Sequence, residues 1–436
     1  MDASTLPNGL NLSNEPTYEE IASLENFLRD QGTFNFPRLS SGLFSAAAAE
    51  NPEFRLTGYQ NVWTRDNIHV IHAHWVLGDK DTAVRAISSL LRFYESQRDR
   101  FRAVIHRELS HADPMNRPHI RFDGEELAVL DVRWAHAQND ALGYLLWLTC
   151  KLLRAGDLSL TPEISELLLL LPDYFNAIEY WCDEDSGHWE ETRKIEASSI
   201  GTVVAGLFEL RALSAEHPIP RLDLAALDSL LEKGENALAE ILPAECVQDD
   251  PLKKRDYDAA LLFLIYPLDV VRGEMADKII ADIREHLTGP IGIRRYNGDS
   301  YWCANYRDLL SAESRTTDFS DDMSERDKLL KPGEEAQWCI FDPILSVIHG
   351  QRYLKDGDES QYDLQIEHFR RSLAQLTSAE SRFPAFRCPE SYFLEHGEWI
   401  PNDITPLLWT QGNLLLAFHR MKEVSLRRSD RFRAGQ

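Results

Sequence analysis

Trp189-Glu190-Glu191 sets an indole beside two adjacent carboxylates. The triplet lies between two long apolar stretches that read as helices. Like charges side by side repel, and they resist burial unless something uses them. One carboxyl held protonated by its surroundings can act as a general acid while a second carboxylate serves as base. Taken alone, the triplet reads as a solvated acidic loop in a chain with 71 Asp plus Glu. Other polar-aromatic clusters along the chain change that reading.

The elements that must position these side chains are helices almost throughout, by apolar residues at i, i+3 and i+4. Twelve are predicted, over about 17–31, 67–77, 80–98, 139–154, 161–181, 198–213, 222–241, 257–269, 273–287, 335–354, 360–377 and 405–422. Thr161 before Pro162, and Thr405 before Pro406, read as caps with Pro in the first turn. Pro172 predicts a kink. Strand signal is weak, and no Gly/Ser/Pro-rich linker divides the chain. An even number of paired helices fits an all-α, single-domain (α/α)6 toroid of six helical hairpins. Residues 1–40 read as an N-terminal extension that lends one helix to the barrel, 41–424 as the barrel, and 425–436 as a basic tail expected to fray.

The clusters share one regularity: each precedes or opens an even-numbered helix. They are Trp63-Thr64-Arg65-Asp66, Trp134 to Asp140, Trp189-Glu190-Glu191, Arg255 to Asp258, Arg294-Arg295-Tyr296 with Glu335 to Trp338, and Pro389-Glu390-Ser391-Tyr392. If successive helices alternate in direction, the starts of all even helices meet at one mouth. That makes the even helices the inner ring and their entry loops the site. Such a mouth offers indole faces for the C–H face of a sugar, Arg and Asp for vicinal hydroxyls, and paired carboxylates for glycosidic bond cleavage.

Composition narrows the partners. The net charge of −25 argues against nucleic acid and anionic membrane surfaces. Six scattered cysteines without a CxxC pair read as thiols of a reducing, cytoplasmic compartment. The first sixteen residues carry no signal-peptide pattern, and the longest strictly apolar run, Leu167 to Leu171, is too short to span a membrane. His106 to His111 is not HExxH, and His69, His72 and His74 lack a matching carboxylate motif, so no metal is expected. No Gly-rich phosphate loop or Ser nucleophile elbow is present.

Ser41-Gly42-Leu43 followed by Gly58 to Asn67 resembles the opening signature of the glycoside hydrolase family 15 catalytic domain. That family includes the glucoamylases, and the same domain type forms the large α and β regulatory subunits of phosphorylase kinase. Trp134 to Asp140 resembles its second segment. Trp189-Glu190-Glu191 with Glu196 to Gly201 resembles the acid-bearing segment, and Pro389 to Tyr392 followed by Pro406 to Gln411 the base-bearing one. Order and spacing match from about residue 40 to 420.

The resemblance implies an (α/α)6 toroid and exo-acting, inverting hydrolysis of α-glucosidic bonds in a maltooligosaccharide or related α-glucan. Glu190 matches the general acid and Glu390 the general base. Glu191 matches a carboxylate on the aglycone side, and Arg65 and Asp66 match the grip on the terminal glucose. Trp63, Trp134 and Trp189 match aromatic walls, and Arg295 a sugar-binding arginine. Glu335 and Trp338 are expected to line the same site. No cofactor is required, and oligomeric state is left open. The 312–333 loop has no counterpart and is expected to be a flap. Two alternatives stand: a glucan-sensing module like the phosphorylase kinase subunits, and a hydrolase or phosphorylase of trehalose or another disaccharide.

Overall fold

The computed structural model describes residues 6, 8–48 and 52–434; the very start of the N-terminal extension and the last two residues of the tail lie outside the described residues. The helices are α1 (Tyr18–Asp30), α2 (Thr64–Val76), α3 (Lys80–Ser96), α4 (Arg98–Ile105), α5 (Asn139–Arg154), α6 (Pro162–Ala177), α7 (Ala197–Glu216) and α8 (Leu224–Ile241). They continue as α9 (Leu262–Ile265), α10 (Gly273–His286), α11 (Tyr306–Leu309), α12 (Ser324–Asp327), α13 (Phe341–Asp356), α14 (Glu359–Ala374) and α15 (Leu408–Ala434).

Six of them close a ring. α2 packs on α5, α5 on α7, α7 on α9, α9 on α13, α13 on α15, and α15 back on α2. Their sequences explain the inner position. Thr64 through Ala73 of α2, Ala197 through Leu207 of α7 and Phe341 through Gly350 of α13 are buried without a break. A helix buried on every face has no solvent stripe to show. The return helices are amphipathic: α3 buries Ala83, Ile87, Leu90 and Leu91 on one face and leaves its charged residues outside. Together with α1, which packs on α15, they form the outer layer of an (α/α)6 toroid.

Several boundaries differ from the sequence reading, each for a local reason. The stretch expected as a helix over 257–269 is a 3-10 turn, Ala259–Leu261, followed by the single turn α9. Pro267 disfavours helical geometry at Tyr266, and the helix stops at Ile265. α2 begins at Thr64, which puts Arg65 and Asp66 inside its first turn. α13 begins at Phe341, because Gln337–Trp338 is a strand. Thr161 does cap α6, accepting from the Ile164 N–H. Thr405 does not cap α15; its hydroxyl donates to the Asn402 carbonyl at 3.0 Å. The basic tail expected to fray is helical as far as Ala434, and Arg428 stacks 3.7 Å from the Tyr362 ring centroid.

Two small antiparallel sheets sit among the entry loops of the inner helices. One pairs β1 (Val62–Trp63), β2 (Arg121–Asp123) and β3 (Ala128–Val129), with Trp63 opposite Arg121. The other pairs β4 (Gln337–Trp338), β5 (Ser391–Glu395) and β6 (Glu398–Pro401), with Trp338 opposite Ser391. Their strands are two to five residues long, too short for a period-2 pattern to show. They fix the side chains that flank Glu190 and Glu390.

Candidate active site

The starts of the inner helices meet in one pocket, open to solvent. Arg65 and Asp66 reach it from the first turn of α2, Trp134 from the loop before α5, and Trp189 and Glu190 from the loop before α7. Trp63, Arg295, Trp338 and Glu390 reach it as expected, and Tyr59, Tyr301, Asp318 and Trp409 join them. Among the described residues, four carboxylates line this space: Asp66, Glu190, Asp318 and Glu390.

Backbone geometry separates the two glutamates that are adjacent in sequence. A 3-10 turn, Gly187–Trp189, ends on Glu190 in the left-handed region, at φ +58° and ψ +48°. That conformation costs a non-glycine residue about 1–2 kcal/mol, a strain held in place by the surrounding structure. Gly187 also has positive φ, and a Cβ there would meet Glu196 Oε2 at 1.5 Å. The bend turns Glu190 into the pocket and leaves Glu191 outside its lining.

Glu190 is held by one oxygen. Its Oε1 accepts from Trp63 Nε1 at 2.7 Å, Gln138 Nε2 at 3.0 Å and an Arg65 amino group at 3.4 Å. Each donor lacks a lone pair to accept a proton in return, so a proton on this carboxyl must sit on Oε2. Arg65 is itself fixed by Asp140 at 2.6 Å, Gln138 Oε1 at 3.2 Å and the Gly187 carbonyl at 3.2 Å. Its guanidinium is thus engaged by the protein, and its charge acts in the pocket on both Glu190 and Asp66. Burial pushes Glu190 up, Arg65 opposes the rise, and the charge of Asp318 adds to it.

Glu390 has a different environment. It is 2 % exposed. Its Oε1 accepts from the Tyr59 hydroxyl at 2.8 Å and its Oε2 from Asn402 Nδ2 at 2.5 Å. Both donors are neutral. Burial therefore raises Glu390 to about 7, although both hydrogen bonds favour the ionised form. Asp66, also buried, is pushed by burial to about 7 against the opposing charge of Arg65. The pocket thus holds two carboxyl groups, Glu390 and Asp66, poised to exchange protons near neutrality, the condition for general acid–base chemistry.

Glu191 and Glu335, both expected to touch substrate, do not line the pocket. Glu191 Oε1 accepts from Arg295 at 3.0 Å and Arg326 at 2.5 Å, and Oε2 from the Tyr296 hydroxyl at 2.5 Å and Arg255 at 3.3 Å. Burial opposes its ionisation, but Arg295, Arg326 and Arg255 outweigh that and hold its carboxyl well below the usual range. It is a buried hub with both oxygens engaged. Glu335 accepts from the Gly298 and Gly333 N–H groups at 3.0 and 2.9 Å and is equally committed. Arg295 lines the pocket, but Asp299 grips it through two contacts of 2.7 Å, and its guanidinium faces the rings of Trp189, Trp338 and Tyr301. Trp189 donates to Asp258 at 2.9 Å, which fixes the indole as a wall.

Sequence reasoning missed Tyr59, Asn402, Tyr301, Asp318 and Trp409. Tyr59 lies inside the Gly58–Asn67 segment, four residues before Trp63, and Trp409 inside Pro406–Gln411. Asn402 follows β6 and reaches Glu390 only through the β5–β6 hairpin, which no periodicity announced. Asp318 lies in the unmatched loop.

Comparison with known proteins agrees with this architecture. The family model described as glycosyl hydrolases family 15 matches residues 24–375. A glycosidase solved in several variants, one in complex with glucose, superposes with a TM-score of 0.66 at 18 % identity, covering 92 % of this chain and 98 % of that one. A glucoamylase from Saccharomycopsis fibuligera gives 0.60 at 12 % identity, covering 95 % and 97 %. Among curated proteins, the liver isoform of the phosphorylase b kinase regulatory subunit alpha of Takifugu rubripes is 24 % identical over 347 residues. That match takes in 72 % of this chain and spans only 26 % of the length of that subunit. With most of its length inside the family match, the chain belongs to glycosyl hydrolases family 15.

Proposed function

We propose that the protein hydrolyses α-glucosidic bonds at the non-reducing end of short gluco-oligosaccharides, with inversion at the anomeric carbon. One observation carries the reading: Glu190 and Glu390 share one pocket but are held differently, Glu190 through one oxygen with a guanidinium among its donors and Glu390 through both oxygens by neutral donors. Glu190 presents a single free oxygen, Oε2, beside three donors on the other, the arrangement of a proton donor. Glu390 is held by a phenol and an amide, so its ionised form is a strong base for an incoming water. In the proposed step Glu190 gives its proton to the glycosidic oxygen as the bond to the anomeric carbon breaks. Glu390 takes a proton from the water that attacks the opposite face, a geometry that needs about 6.5–9.5 Å between the carboxyl groups. Asp66 accepts hydrogen bonds from hydroxyls of the terminal glucose, and the indoles of Trp63, Trp134, Trp189 and Trp338 enclose its ring. The six free thiols support a reducing, cytoplasmic setting.

Incubation with maltose, isomaltose, trehalose and maltotriose tests the reading. Glucose release from an α-linked oligosaccharide is the expected result, and no release from any of the four counts against it. A second reading rests on the likeness to the phosphorylase b kinase subunit. A glucan-sensing module would bind these sugars without turning them over.

A further inference from the structure

The 311–333 loop enters the pocket with Thr316, Thr317 and Asp318. Its two ends are tied by ion pairs of low exposure: Arg315 to Asp403 at 2.8 Å, with side chains 14 % and 10 % exposed, and Arg326 to Glu191 at 2.5 Å, 5 % and 2 % exposed. Thr316 Oγ1 adds a bond to the Thr57 carbonyl at 2.8 Å. Between these anchors the loop crosses to the Trp134 side of the mouth. There it is held by Arg133 to Asp321 at 2.6 Å, a pair with both partners more than half exposed. An exposed pair opens to water at little cost, whereas parting a desolvated pair leaves buried charges without a partner. The loop is therefore a strap fixed at both ends and lightly latched in its middle.

This strap rearranges the carboxylates around Glu190. Its Arg326 engages Glu191, the sequence neighbour of Glu190, which the backbone bend already leaves outside the pocket lining. In the same span it supplies Asp318, whose Oδ1 accepts from the Ser320 N–H at 2.8 Å in a local turn that sets the side chain over the pocket. The Arg133–Asp321 latch sets this span at the Trp134 wall, and Trp134 packs edge-on against Trp63, the indole that donates to Glu190, so Asp318 shares that side of the pocket with Glu190. Glu190, in the reading above, faces the leaving group. Asp318 is then placed on the leaving-group side, where it meets whatever follows the terminal glucose.

We propose that Asp318 is a specificity residue that accepts hydrogen bonds from hydroxyls of the leaving sugar, and that it selects short saccharide leaving groups able to fit beneath the strap. The proposal deepens the hydrolase reading and rests on its assignment of the two sides of the pocket. A hydrogen bond to a charged acceptor contributes about 1.5–3 kcal/mol, so its loss should weaken binding of a leaving sugar by about tenfold or more.

Calorimetric binding keeps the inference apart from catalysis. The background is Glu190→Gln, in which Gln Oε1 keeps its three donors and the amide nitrogen takes the free Oε2 position. On that background Asp318→Asn is expected to weaken maltose binding at least about tenfold, and to leave glucose, which fills only the terminal site, within about twofold. Equal loss for both sugars, no loss for either, or no binding of either sugar to the parent overturns the role of Asp318. Maltose discrimination in this assay together with a wild-type protein that releases no glucose retains Asp318 as a recognition residue and removes the hydrolase reading. In an active wild type, Asp318→Asn should lower kcat/KM for maltose and not for an aryl α-glucoside, whose leaving group has no hydroxyl to offer.

Discussion

The Tyr59 hydroxyl donates to Glu390 Oε1 at 2.8 Å and lies 3.1 Å from the hydroxyl of Tyr301. Tyr59 spends its only proton on Glu390, so Tyr301 must donate to Tyr59. This chain of phenols orients the carboxylate and favours its ionised form. Tyr59→Phe should lower kcat by about tenfold or more. It should also raise the higher of the two pH limits, because one of the two donors that stabilise ionised Glu390 is gone. A kcat/KM profile against pH reads both effects; an unchanged profile would remove Tyr59 from the mechanism.

The wild-type profile itself is predicted. Burial raises Glu390 to about 7, and it raises Glu190 as well, with Arg65 holding that rise back. The pair needs one proton in total. Below the lower transition both groups are protonated and no base exists; above the higher one both are ionised and no acid exists. The profile of kcat/KM should be bell-shaped, with its alkaline limb near 7 and its maximum on the acid side of it. A rate that keeps rising beyond pH 8 would contradict the pairing.

Stability should move in the opposite sense at Glu390. Its ordinary value of 4.5 becomes about 7 in the fold, so the folded state holds the proton more tightly than the unfolded chain. That contribution is present below about 4.5 and is lost as the pH rises through about 7, a difference of up to about 3 kcal/mol. Glu390→Gln removes the charge, and its amide can donate to the Tyr59 oxygen. The variant should be inactive yet melt at a higher temperature than wild type at pH 8, with the advantage gone at pH 4.5. Thermal denaturation at the two pH values decides.

Glu191→Gln should do the reverse of Glu190→Gln. Glu191 neutralises a cluster of Arg255, Arg295 and Arg326, and losing it leaves buried cations short of a partner, a cost of about 3–5 kcal/mol. Its pKa is depressed, so its contribution is present above the ordinary carboxylate value and is lost as the pH falls through the lower folded value. Chemical denaturation of the two variants side by side should show a large loss for Glu191→Gln and little or none for Glu190→Gln. Equal behaviour would mean that the hub is not what holds this part of the fold.

How much of this the sequence carried depends on the range of the interaction. The alternation of inner and outer helices was legible, because each inner helix is announced by a compact polar-aromatic cluster such as Trp134 to Asp140. The pairing of Glu190 with Glu390 in one mouth followed from that alternation together with the family resemblance. The fate of Glu191 was not legible. Its cage draws Arg255, Tyr296, Arg295 and Arg326 from three separate loops, and nothing in the local pattern around Glu191 separates a hub from a ligand. Asn402 was hidden for a related reason: it meets Glu390 through a hairpin whose strands are four and five residues long. Short strands and long-range cages are set by tertiary packing, which local propensity does not encode.

The central claim is that Glu190 and Glu390 act together in a single displacement. Proton NMR of the anomer released from maltose in the first minutes of reaction, before mutarotation, tests it most directly. β-Glucose is expected from the wild type and none from Glu190→Gln or Glu390→Gln. Release of α-glucose, or wild-type turnover in either variant, would contradict it.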